Sequence, residues 1–421
     1  MGSGSRRKFL QTTLGAVGAA TLPGVLSGKT AAKGRKLPVA GITTVYRKNS
    51  HSDVILGKIL EGFNQDGGLG PDLELVSLYV DQLPENDLSR GLAKKHGFPI
   101  TRSIDEAITL GGDKVAVAGV LSIGEHGKYP TIPETGQRKY PRKRLFDGIV
   151  AALKRGGRIV PVFNDKHLSY RTDEALEMYR VAKALKMPFM AGSSVPVMWR
   201  TPPLVLPRDC EFETAVGVGY GGLESYGFHA LEGLQCMVER RHGGETGVKS
   251  VRAVTGKAAL EAEAQGYWSR DVLEAAVHVQ EAKPPANWSD WLKPDRPFYL
   301  IDYRDGLKAC VAMLGGRDAC RHFSFAAKLK GESKPVATWF TNQDGIPYRH
   351  FEWLVKAIEP MIHTGKPSYP VERTLLTTCV LDAALRSLAR GQTTVETPHL
   401  DVRYSPADWP HAPGRPPPPR E

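Results

Sequence analysis

Acidic residues are missing from the first 36 positions of this 421-residue chain, whereas Arg6, Arg7, Lys8, Lys29, Lys33, Arg35 and Lys36 place +7 of the formal +11 there. The remainder is only mildly basic. It contains no dense Lys/Arg stripe interleaved with aromatics, which excludes the usual electrostatic footprint of a nucleic-acid binder. No C-x-x-C spacing occurs among Cys210, Cys236, Cys310, Cys320 and Cys379, and their number is odd. Neither a disulfide framework nor a zinc site is therefore indicated, and no metal is expected. A single Cys310–Cys320 bridge across a hairpin stays open. The stretch from Leu14 to Leu26 is too short and too mild for a membrane span. Apolar residues at 41 % and charged residues at 24 % describe a globular chain, long enough for two ordinary domains.

What is present begins with Ser5-Arg6-Arg7-Lys8-Phe9-Leu10, which resembles the twin-arginine export consensus. It implies the twin-arginine machinery as a partner and a periplasmic or otherwise exported location. A disordered basic leader is the plainer alternative. Four segments follow from composition: a signal over 1–33, an α/β domain over 34–194, an α+β domain over 195–400 and a Pro-rich tail over 401–421, expected to be disordered from Trp409 on.

Hydrophobic periodicity predicts strands at Leu37–Val45, Leu73–Val80, Val115–Ile123, Arg158–Phe163 and Pro188–Ala191. Helices alternate with them at about 51–63, 86–96, 144–155 and 172–185, with Ser50 as the first N-cap. Such alternation argues a parallel, doubly wound sheet. Beyond Gly192-Ser193-Ser194 strands dominate, at 212–218, 248–254, 298–303, 309–314, 320–329 and 336–340. Helices are predicted at 226–240, 348–363 and 371–389. That reads as a mainly antiparallel sheet with helices on one face.

Two motifs carry chemistry. Gly157 to His167 reads as a strand delivering Asp165-Lys166-His167, and Gly221-Gly222-Leu223-Glu224-Ser225-Tyr226-Gly227-Phe228-His229-Ala230-Leu231-Glu232 opens a helix. Imidazole titrates near neutral pH, as a proton shuttle needs, and a nearby ammonium stabilises a developing alkoxide. With Met187 to Gly192 and Tyr369 to Gly391, these segments resemble the Gfo/Idh/MocA oxidoreductases, the family of glucose–fructose oxidoreductase and inositol dehydrogenase. The resemblance spans about residues 37–400. It implies a Rossmann-like first domain, NAD or NADP held tightly, a sugar or polyol substrate, Lys166 and His229 as the acid/base pair, and self-association through the second sheet. By position it assigns Thr43, Thr44, Arg47, Asp81, Glu125 and Asp165 to the cofactor, and Ser225 to the substrate. Trp199 and Arg200, just past the domain switch, could line a sugar pocket. Each has a plainer reading: His229 as a core histidine, Lys166 as a surface lysine, Asp81 as a turn residue, Trp199 and Arg200 as packing and surface charge.

The chain also departs from that pattern. The family's Asp on the histidine helix aligns with Ser225, and its Pro after the lysine is His167. The largest departure is a missing Gly-x-Gly-x-x-Gly after the first strand. No glycine occurs between Gly41 and Gly57, and Val45 and Tyr46 stand where backbone must approach a pyrophosphate. Two functions follow. One is an exported sugar or polyol oxidoreductase with retained NAD(P), redox-neutral through a transient keto-sugar. The other is a non-redox or carbohydrate-binding protein on the same fold without the nucleotide.

Overall fold

A computed structural model describes residues 36–285, 287–288, 292–315 and 320–420. The twin-arginine segment lies outside them.

Six strands form the first sheet: β1 (Leu37–Thr43), β2 (Leu73–Val80), β3 (Ile100–Thr101), β4 (Gly119–Ile123), β5 (Val162–Asp165) and β6 (Phe189–Gly192). All pair in parallel, in the order β3-β2-β1-β4-β5-β6. The central strands are buried along most of their length because the crossover helices cover both faces. Those helices are α1 (His51–Leu60), α2 (Ser89–His96), α3 (Ile104–Thr109), α4 (Arg142–Arg155) and α5 (Thr172–Ala184). Ser50 caps α1 as its sequence predicts, accepting the Asp53 N–H. The predicted 158–163 strand starts four residues later than expected. Gly157 turns at φ +70 and Pro161 has no N–H for the ladder, so pairing begins at Val162. This shift puts Asp165 on the last strand position and Lys166 just beyond it.

The second sheet has eight strands: β7 (Trp199–Thr201), β8 (Phe212–Gly219), β9 (Val248–Val254), β10 (Phe298–Tyr303), β11 (Lys308–Met313), β12 (Phe323–Leu329), β13 (Val336–Thr341) and β14 (Val395–Glu396). Their order is β14-β9-β10-β11-β8-β12-β13-β7. Every pairing is antiparallel except β11 with β8. One face carries α6 (Ser225–Val238) and α10 (Val371–Ala389). Fifteen of the nineteen α10 residues are buried, so it runs as a central helix rather than an amphipathic one. The opposite face is covered too, whereas the sequence reading placed helices on one face only. After α7 (Lys257–Ala264), α8 (Arg270–His278) lays Val272, Leu273 and Ala276 against Val216 and Val218 with Trp268 and Trp288. The penultimate helix, α9 (His350–Thr364), returns to the first sheet beside α1.

Two further corrections concern the ends and the thiols. The Pro-rich tail is ordered rather than disordered. Ala412 is fully buried, the Trp199 indole donates to Pro413 O at 3.1 Å, and Gln343 donates to Pro417 O and Pro418 O. All five cysteines are free, so Cys310 and Cys320 do not pair. Among the described residues no helix is long and apolar enough to cross a membrane.

Candidate active site

The crevice beyond the carboxyl ends of β2, β1 and β4 is where a doubly wound fold takes a dinucleotide. Here the chain's own side chains occupy it. Thr43 and Thr44 are buried at the end of β1, and the Thr44 hydroxyl donates to Glu125 O at 2.6 Å. Val45 and Tyr46 turn into the core, 2 % and 0 % exposed. At the start of α1 the Asn49 N–H donates to Asp53 Oδ2 and the Asp53 N–H to Ser50 Oγ. The helix end thus carries its own carboxylate where a phosphate would sit.

Asp81 is equally engaged. Tyr79 and Tyr129 hydroxyls donate to it at 3.0 and 2.6 Å, and Arg144 at 2.7 Å. Burial pushes its carboxyl up, but Arg144 and Tyr129 prevail and hold it below the usual range. Gln82, after β2, and the Lys128 backbone, after β4, exchange two hydrogen bonds of 3.0 and 2.9 Å across the end of β1. What space is left there is a cavity of about 310 Å3 lined by Arg47, Gln82 and Lys128. The residues present do not fit a dinucleotide in this crevice.

Further along the same sheet edge a cavity of about 630 Å3 opens. Lys166 and His229, both singled out from sequence, line it together with Glu125 and Ser225. Lys166 adopts φ +65, an unusual conformation for a residue with a Cβ, and is 4 % exposed. Its ammonium lies 3.7 Å from Glu125, which also pairs with Arg142. Burial alone would raise the Glu125 carboxyl, yet Lys166 and Arg142 hold it well below its usual range. Arg142 also donates to His167 Nε2 at 3.0 Å. Burial, then the Arg142 charge, keeps His167 neutral.

His229 Nδ1 is 3.0 Å from Ser193 Oγ, and Ser193 in turn donates from both Oγ and N–H to Glu232. When Glu232 is ionised and takes the Ser193 hydroxyl proton, Nδ1 donates to Ser193 Oγ, and Nε2 is left as an acceptor. Burial, then Lys166 and His51, push His229 well below 6.5. Burial raises Glu232 to about 7 against the Ser193 hydrogen bonds. Ser225 therefore does not leave His229 without a carboxylate. Glu232, three residues on along α6, replaces the missing Asp through Ser193. Glu224 instead accepts the Arg138 N–H.

Sequence reasoning missed a second imidazole. His51, the first residue of α1, lines the cavity and places Nδ1 2.7 Å from Asp165 Oδ2. Asp165, expected at the cofactor, is fully buried and holds this ring instead. The only signal was a histidine next to a turn without glycine. On the opposite wall Tyr220 meets Tyr226 at 4.8 Å between ring centroids, and Phe323 stacks near Tyr226 and His229.

Trp199 and Arg200 are not in this cavity. Trp199 is 3 % exposed and meets Trp353 edge-on, and Arg200 donates to Leu204 O and Pro196 O above the Phe340 ring. Both sit on the edge strand β7, which the tail covers. No three His, Cys, Asp or Glu among the described residues are grouped to hold a metal ion.

No family model matches the chain, and no curated protein matches it either. Solved structures do. GenD2 from gentamicin A biosynthesis, in complex with NAD, superposes with a TM-score of 0.55 at 14 % identity, over 89 % of this chain and 99 % of that one. Scyllo-inositol dehydrogenase from Lactobacillus casei, with bound NAD(H) and scyllo-inositol, gives 0.54 at 11 %, over 86 % and 99 %. A myo-inositol dehydrogenase from Corynebacterium glutamicum ATCC 13032 gives 0.51 at 14 %, over 86 % and 98 %. At these identities the likeness shows a shared fold.

Proposed function

We propose that the chain is an enzyme that performs acid–base chemistry on a sugar or polyol without a dinucleotide. The observation that carries this reading is the convergence of Lys166 and the His229–Ser193–Glu232 relay on one cavity, beside a crevice already bridged by Gln82 and Tyr129. The Tyr220, Tyr226 and Phe323 rings suit the C–H face of a polyhydroxylated ring, with polar groups opposite to fix its hydroxyls. His229 Nε2 accepts a proton from substrate while Ser193 and Glu232 hold its ring. The Lys166 ammonium stabilises the oxygen on which charge develops. Lys166→Ala and His229→Ala should each abolish turnover while leaving the fold intact; unchanged turnover in both overturns the assignment.

A second reading keeps the redox chemistry, with NAD(P) bound through the whole cycle in a pose other than the usual one. The cavity beside Arg47 and the likeness to GenD2, solved with NAD, and to a scyllo-inositol dehydrogenase solved with NAD(H) favour it. Around either reading we propose export through the twin-arginine pathway, which delivers folded proteins, and self-association through the second sheet. Retention of the chain in the cytoplasm after Arg6→Lys with Arg7→Lys tests the first. Sedimentation of the purified chain tests the second.

A further inference from the structure

We propose that His51, oriented by Asp165, is a second base of this site, the one that takes a proton from carbon while His229 serves a substrate hydroxyl, and that the substrate carries a carbonyl beside the carbon that loses the proton. The inference rests on the acid–base reading above and adds to it a base and a substrate class.

Three neighbours fix the His51 ring. Its Nδ1 bonds Asp165 at 2.7 Å, Phe351 meets it edge-on at 5.1 Å, and His126 does so at 5.3 Å between centroids. Asp165 sits at the end of β5, fully buried, with Oδ1 unpartnered. Its charge is therefore directed at one imidazole. A carboxylate so placed fixes the Nδ1–H tautomer, leaves Nε2 free to accept, and stabilises the imidazolium that follows. The same arrangement recurs wherever a carboxylate steers a general-base histidine. A ring meant only to fill space would not need a buried ionic partner, since desolvating a carboxylate is costly.

The position of this pair decides the substrate class. His51 opens the helix that follows the glycine-less turn. A side chain there can take a proton but cannot take a hydride. An ordinary carbinol C–H is far too weak an acid for imidazole, whereas a neighbouring carbonyl lets the electron pair move onto oxygen. In the step, the C–H bond breaks and its proton goes to His51 Nε2. The electron pair forms the C=C of an enolate, whose oxygen faces the Lys166 ammonium. Return of a proton to carbon restores the ketone, and no oxidant or co-reactant is consumed.

The test uses the full chain and methyl 3-keto-α-D-glucopyranoside in deuterium oxide, with loss of the C–H signals beside the ketone followed by proton NMR. Wild type should wash in deuterium. His51→Ala should slow this at least about a hundred-fold, as expected for loss of a general base. Added imidazole should restore part of the rate in His51→Ala but none in Lys166→Ala. His51→Gln, which can still donate to Asp165, guards against a folding defect and should be equally slow. Wild-type exchange in both His51 variants, with Lys166→Ala inactive, overturns the role of the pair and leaves the acid–base reading standing. No exchange by wild type overturns both.

Discussion

Glu232→Gln isolates the most strained charge in the site. The wild-type carboxyl is 1 % exposed and burial raises it to about 7, against an ordinary 4.5. Between those values the folded chain holds a proton that the unfolded chain has released. Stability from this group is thus fully present below about 4.5 and is lost as pH rises through about 7. At 1.36 kcal/mol per tenfold, the loss is about 3 kcal/mol. Gln mimics the protonated form and does not titrate. Urea denaturation of both proteins at pH 4.5 and pH 8 should therefore show wild type losing about 3 kcal/mol relative to the variant. A difference that stays constant to within about 0.5 kcal/mol across that range would refute the argument. It would show that Ser193 stabilises the ionised carboxylate as well as water does.

The remaining predictions concern packing at the Ser193 loop and at the edge strand β7. Gly192 has φ +122, and a Cβ there would come within 2.4 Å of Glu232 Oε1 and 3.0 Å of Thr374 Oγ1. Gly192→Ala should therefore cost about 2 kcal/mol or more and lower activity, because the Ser193 loop must move; a wild-type melting temperature would contradict this. Trp199→Ala should destabilise by about 3–5 kcal/mol through lost core packing, yet leave ligand affinity unchanged in the folded protein. A selective loss of sugar affinity would return Trp199 to the binding site. Removal of residues 409–421 should lower the melting temperature, since it strips the Trp199–Pro413 and Gln343–Pro417 hydrogen bonds and uncovers β7. An unchanged value would mean that the tail is not seated on β7.

The parallel half of the fold was legible because each element carries its own period and punctuation. Leu73–Val80 in that half, and Val371–Ala389 on the second sheet, read correctly to the residue. Errors came where no local signal exists. The β3 and β14 strands are two residues long; α7 is a different case, because Lys257–Ala264 is made of Lys, Ala, Leu and Glu, all strong helix formers, and its signal went unread. The tail read as disorder because proline content reports what a chain cannot form by itself. It says nothing about a groove supplied by Trp199 and Gln343. In the site, Lys166 and His229 were legible from their motifs. The His51–Asp165 contact joins residues 114 apart in sequence and depends on where β5 ends. Glu232 was in plain view three residues past His229, but its route through Ser193 needed the fold.

The proposed chemistry requires that side chains of the chain itself stand in the dinucleotide's place. Protein purified from cytoplasm without added cofactor should be denatured and its supernatant assayed for NAD and NADP by mass spectrometry, with a calorimetric titration of both on the folded chain. No nucleotide should be released, and neither NAD nor NADP should bind saturably. Near-stoichiometric nucleotide in the supernatant would contradict that requirement and restore the redox reading.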